Sequence, residues 1–169
     1  MEKVEFLILR NLLHNEKYLR KVLPFIKKEY FEDNNQSIIF DEMEKFVVKY
    51  NECPTKEVLS IEVENRSDIN DTTFNEIVKM ISYLDEETTE FEWLVDTTEK
   101  WCRDRAIYLA LMESIHIADG NDEKKSRDAI PSILSDALAV SFDTHIGHDY
   151  LQDYEARYET YHRKEDKIE

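Results

Sequence analysis

The chain has 169 residues, 41% of them hydrophobic with 8 Phe, 9 Tyr and 2 Trp, and a formal net charge of −16. A chain of this length buries roughly 70% of its extended surface, so it needs no disulfide or metal to hold a core. The acidic excess disfavours direct nucleic-acid binding, which requires Lys and Arg against phosphate, and no apolar run approaches the ~18 residues of a membrane span.

Only two glycines and three prolines occur, and no stretch alternates with period two for long, which predicts an all-α fold. The N-terminal MEKVEFLILRNLL has acidic flanks and no small-residue cleavage site. It therefore reads as a first helix over 4–13, not a signal peptide. Asn15 caps a short second helix carrying Tyr18, Leu19, Val22 and Leu23, and Pro24 ends it. EDNNQ at 32–36 reads as a loop. A third helix follows, with Ile39, Met43, Phe46, Val47 and Tyr50 at spacings of three and four.

Pro54 and Thr55 open a fourth helix that reaches Glu64, and NRSDIND at 65–71 is a polar loop. The fifth helix has the cleanest apolar period: Phe74, Ile77, Val78, Ile81, Leu84. Its start is marked by Asp71 and by the capping-box spacing of Thr73 and Glu76. From 90 to 119 no helix breaker occurs. Leu94, Trp101, Tyr108, Met112 and Ile115 lie near one side of a helix ~40 Å long at 1.5 Å per residue. GNDEKKSRD at 120–128 is a turn, and Pro131 suits the first turn of a helix whose apolar face is Ile130, Ile133, Leu134, Ala137, Leu138 and Phe142. The two helices form a hairpin over 90–143, expected to protrude from the bundle. Trp101, Tyr108 and Met112 are its candidate pairing residues.

After Gly147 a last helix is expected, with Asp149 as its cap and Tyr150, Tyr154, Tyr158 and Tyr161 in one stripe. Tyrosine offers large contact area with a wet polar tip, so the stripe is expected to dock on another subunit. The expected organisation is a helical domain over 1–143 and a linker segment with a helix over 144–169.

Catalytic chemistry finds little purchase. A phosphate-cradling GxxxxGK[ST] loop, a GxGxxG site and a GxSxG elbow all need neighbouring glycines, and the chain has only Gly120 and Gly147. ExxH occurs at Glu113–His116 and Glu159–His162, a spacing used by di-iron bundles. Asp143, His145, His148 and Asp149 are close enough in sequence for zinc, but a helix–Gly–helix joint calls for polar caps in any case. Cys53 and Cys102 form no CxxC and read as reduced packing residues in a reducing compartment, hence a cytoplasmic protein. No catalytic, cofactor-binding or metal residue is assigned. The acid is concentrated at 51–99, with 3 basic and 14 acidic residues for a net of −11, whereas 1–33 holds 7 basic and 6 acidic ones. Two rival readings stay open: an acidic DNA mimic or regulator-binding protein, and a metal-dependent helical-bundle enzyme.

A set of short motifs in fixed order carries a resemblance: EYFE at 29–32, WLV at 93–95, TEK at 98–100, RA at 105–106, AIP at 129–131, SFD at 141–143, GHD at 147–149 and DYEAR at 153–157. Together they resemble the N-terminal domain and linker of the hexameric, DnaB-like replicative helicases of T-even-type bacteriophages. The resemblance implies a helical collar that pairs through a hairpin, organises a hexameric ring and contacts primase and a helicase loader. It also implies a linker helix that reaches the motor domain of a neighbouring subunit. ATP, Mg²⁺ and the strand-gripping loops belong to a RecA-like motor that this sequence, ending at Glu169, does not contain. The fragment itself is expected to be non-catalytic, without direct nucleic-acid contact, and located in the host cytoplasm if phage-encoded.

Overall fold

The computed structural model describes residues 3–142, which are all-α, with no strand among them. Seven α-helices follow one another: α1 (Lys3–His14), α2 (Glu16–Val22), α3 (Asn34–Tyr50), α4 (Lys56–Glu64), α5 (Asp71–Ser82), α6 (Phe91–Ala118) and α7 (Ile130–Leu138). Three short 3₁₀ turns, at 23–25, 28–30 and 127–129, supply the corners. Asp149 and the four tyrosines at 150, 154, 158 and 161 lie outside the described residues, as do His145, His148 and the Glu159–His162 pair.

Side-chain caps set most helix starts, because the first turn of a helix leaves backbone N–H groups without partners. Asn15 accepts from the Tyr18 N–H and opens α2, and Thr55 does the same for Val58 at the start of α4. Pro24 falls in the 3₁₀ turn that ends α2, as its missing N–H requires. Two expected boundaries are corrected. Of the stretch 32–36 only Glu32 and Asp33 are loop. Asp33 caps α3 by accepting from the Gln36 N–H at 3.0 Å, which draws Asn34 to Gln36 into the first turn. At α5 the cap is Asn70, whose Oδ1 accepts from the Thr73 N–H at 2.8 Å, and Glu76 turns instead to the side-chain amide of Asn35.

The core sits between α1 and the surrounding helices. Ile8, Leu9 and Leu12 of α1, Tyr18 of α2, Ile39, Phe40 and Met43 of α3, Leu59 of α4 and Ile77 of α5 are all fully buried. Leu84 and Phe142 are buried although they lie beyond the ends of α5 and α7, so apolar period outran the helices at both places. The backbone N–H of Leu84 donates to Ile81, a tightened last turn that swings the side chain inward. Phe142 is held by stacking on Phe25, with ring centroids 4.6 Å apart.

The 28 residues of α6 span about 42 Å. The half nearer its N-terminus packs against α1, α2 and the 28–30 turn, and α7 lies along the other half. No helix among the described residues is long and apolar enough to cross a membrane.

Candidate protein interface on the hairpin

One face of α6 runs Leu94, Thr98, Trp101, Arg105, Tyr108, Met112, Ile115, with steps of four, three, four, three, four and three. That alternation keeps a seam on one side of a helix, as in coiled coils. The seam has two fates. Up to Arg105 it is covered by the bundle, and beyond Arg105 it lies open.

In the covered half Leu94 and Thr98 are fully buried. The Thr98 hydroxyl donates to the Leu94 carbonyl and meets the Tyr18 hydroxyl, so both buried hydroxyls have partners. Trp101 is only 8% exposed, lodged against Tyr30 and Phe31, and its indole N–H donates to the Glu5 carboxylate at 3.2 Å. Glu5 is itself buried, and it also accepts from the Glu32 backbone N–H. Burial pushes the Glu5 carboxyl above its ordinary range, and the Trp101 and Glu32 hydrogen bonds pull it part of the way back. Arg105 closes this half, donating to the Tyr30 carbonyl and pairing with Glu32 at 3.6 Å.

In the open half Tyr108 is 50% exposed, Met112 49% and Ile115 54%. Leu111, one step to the side, is also half exposed. Arg105 lies 4.9 Å from the Tyr108 ring centroid, a cation–π contact at the junction of the two halves. The opposite side of the same half is occupied: Ala110, Ser114 and Ile117 are buried beside α7. So α7 covers one face of α6 and leaves the seam face uncovered. At about half exposure each, these side chains present roughly 400 Å² of apolar surface, the scale of the largest patch on an ordinary monomer and commonly functional.

These positions sort the candidates read from the sequence. Tyr108 and Met112 lie on the open ridge together. Trp101 is corrected: it belongs to the core, because the 28–32 segment folds over it and Glu5 takes its only polar atom. Sequence reasoning missed Leu111 and Ile115 as surface residues, and Leu138 on α7, which is 65% exposed. For Ile115 the four-three spacing continuing past Arg105 was the available signal. What it lacked was the length of α7 and the reach of the bundle.

Several of the remaining polar groups pair within the fold. Among the described residues no group of three or more His, Cys, Asp or Glu comes close enough to hold a metal ion. Glu113, of the first ExxH pair, is engaged by Lys125 across the hairpin turn. Cys53 and Cys102 are free thiols. Burial pushes Cys53 up to about 12 and raises Cys102 as well, so both are poor nucleophiles. Arg66 reaches Asp41, Glu42 and Asp68 at 3.0, 2.6 and 2.8 Å and pins the 65–70 loop to α3.

Set beside known proteins, the chain matches no family model. It is 34% identical over 170 residues to the DnaB-like replicative helicase of Enterobacteria phage T4. The chain is related to a replicative helicase. The match takes in 96% of this chain but only 36% of the T4 helicase, so the chain spans about a third of that relative's length. The resemblance carried by the ordered short motifs is therefore matched by similarity along nearly the whole sequence.

Proposed function

We propose that this chain is the ring-organising, N-terminal part of a replicative DNA helicase, working by contact with other protein chains and not by catalysis of its own. The observation that carries the reading is the uncovered seam of α6, which turns from core into apolar surface at Arg105 while the helix continues unbroken. A helix built to be solvent-exposed there would place polar residues at 108, 112 and 115. The reading assigns the open seam to a second copy of the hairpin, seam against seam, as the first step toward a hexameric ring.

An interface of stable complexes buries about 800 Å² per partner, roughly twice what the ridge offers. Pairing through the ridge is therefore weak alone and strengthened by the rest of the ring. In the same reading the tyrosine stripe at 150–161 reaches a neighbouring subunit's motor domain, and primase or a helicase loader docks on the collar. ATP and Mg²⁺ are handled outside this chain. The relationship to the T4 helicase supports the replicative setting. The net charge of −16 supports protein contact over DNA contact.

Two measurements test the reading. Single-stranded DNA binding by this chain at physiological salt should be negligible; tight binding that weakens steeply with salt would contradict it. Addition of the cognate primase should give a complex that survives the Met112→Glu substitution if primase uses another face of the collar. Failure of any replication protein of the same source to bind would count against the collar role.

A further inference from the structure

The open seam is one of two surface features that the hairpin presents. The other is a groove of about 660 Å³ on its opposite flank, between the hairpin and the 27–30 connection. Ala106, Leu109 and Ala110 of α6 form one wall, and Ile133, Ala137 and Val140 form the other. We propose that this groove is the seat of the tyrosine stripe of the same chain, Tyr150, Tyr154, Tyr158 and Tyr161.

Three features of the groove and the sequence carry the assignment. The first is where the chain leaves the described fold. Val140 lines the groove, and the two residues after it are fastened beside it. The Val140 carbonyl accepts from the Arg103 guanidinium at 3.0 Å, and the Phe142 N–H and Ser141 hydroxyl both donate to Glu99. Phe142 then stacks on Phe25. The described chain thus ends at Phe142, two residues after the Val140 that lines the groove. Tyr150 is eight residues beyond Phe142, a reach of up to about 27 Å, enough to bring the stripe to the groove.

The second is shape. Small side chains at Ala106, Ala110 and Ala137 keep the floor of the trough low, with Ala110 and Ala137 buried where α6 meets α7. A cavity of about 150 Å³ takes one benzene-sized ring, so the groove has room for several. The stripe, with steps of four, four and three, spans about 16 Å as a helix and presents its rings on one side.

The third is chemistry at the rim. Lys27, Glu29, Glu113, Lys125 and Asp136 border the trough beside its apolar walls. A phenylalanine stripe would leave them unmatched. Tyrosine rings can lie on the alanine and leucine walls while their hydroxyls stay at the rim, within reach of these charged groups and of water.

The stripe is a single surface, so the groove and a neighbouring subunit's motor compete for it. The groove holds the linker against its own collar when no neighbour is engaged. This competition goes beyond the collar role, and its test does not depend on self-association.

Hydrogen–deuterium exchange on the full 169-residue chain is the experiment. The double substitution Tyr154→Ser/Tyr158→Ser should speed amide exchange at least severalfold in 133–140 and 27–30. It should leave 94–102 unchanged, and the effect should be the same across a hundredfold dilution. From the other side, Ile133→Ser should speed exchange in 150–161 without altering 94–102. Equal exchange in the double variant and the parent at 133–140 would overturn the proposal. So would an effect that appears only at high concentration, which would move the seat to another copy.

Discussion

The two halves of α6 show how one helix face can be read as core and as surface without any change in its sequence pattern. From Leu94 to Arg105 the seam is buried and each polar side chain on it has a partner: Thr98 with Tyr18, Trp101 with Glu5, Arg105 with Tyr30 and Glu32. From Tyr108 to Ile115 the seam continues with the same spacing, but nothing among the described residues lies over it and its side chains are half exposed. The difference comes from the reach of the bundle. A 28-residue helix outruns the helices packed on its first half, and the nine-residue α7 covers only one flank of the second. Apolar period alone therefore identifies a face and leaves open what covers it.

Substitutions should separate the halves cleanly, with the largest effect at the base. Trp101→Ala removes a buried aromatic and leaves the Glu5 carboxylate with one hydrogen-bond donor fewer. The expected loss is about 3 to 5 kcal/mol in denaturant unfolding, against about 0.5 kcal/mol or less for Ile115→Ala on the open half. Similar losses at both positions would mean that the outer seam is covered within the monomer. At the junction, Arg105→Ala gives up the bond to the Tyr30 carbonyl and the contact with the Tyr108 ring. An intermediate loss of about 1 to 2 kcal/mol is expected from the same unfolding curves.

The base also has a pH signature that the outer half lacks. Because burial raises the Glu5 carboxyl above its ordinary 4.5, the folded state holds that proton more tightly than the unfolded state does. Its contribution to stability is therefore present in acid and is lost as pH rises through the folded value. The stability difference between the parent and Glu5→Gln should shift in favour of the parent as pH falls from 7 toward 4.5; a flat difference would remove Glu5 from the account. Asp41 carries the opposite sign. Its burial alone would raise it, but hydrogen bonds from Arg66 and Lys45 hold it below its ordinary 3.8, so its contribution is lost only as pH falls below that value. The smallest change in stability is expected for Met112→Glu, about 0.5 kcal/mol or less. Its unfolding curve should overlay that of the parent even where self-association is abolished.

Much of the fold was legible from the residues. The caps at Asn15 and Thr55, the break at Pro24, the long uninterrupted helix and the turn before Pro131 all follow from local chemistry, and each falls where the chain places it. The errors have one physical origin, which is tertiary context. Asp33 rather than the end of EDNNQ starts α3, because any of several polar residues could cap it and packing chose among them. Leu84 and Phe142 kept the apolar period yet lie in the connections that follow α5 and α7, since burial can be reached from a turn as well as from a helix. Of the hairpin candidates, Tyr108 and Met112 were readable as surface and Trp101 was not, because nothing local to Trp101 announces that Glu5, 96 residues away, will receive its indole N–H.

The central claim is that the outer seam of α6 is a contact surface between chains. Sedimentation of the 169-residue chain over a wide concentration range tests it most directly, with Tyr108→Ser/Met112→Glu as the comparison. The account predicts that the parent's average mass climbs above 20.2 kDa as concentration rises, while the variant stays at the monomer mass and still unfolds cooperatively, losing no more than the contact between Arg105 and the Tyr108 ring, about 1 kcal/mol. A parent that remains at 20.2 kDa throughout, or a variant that associates as the parent does, would contradict it.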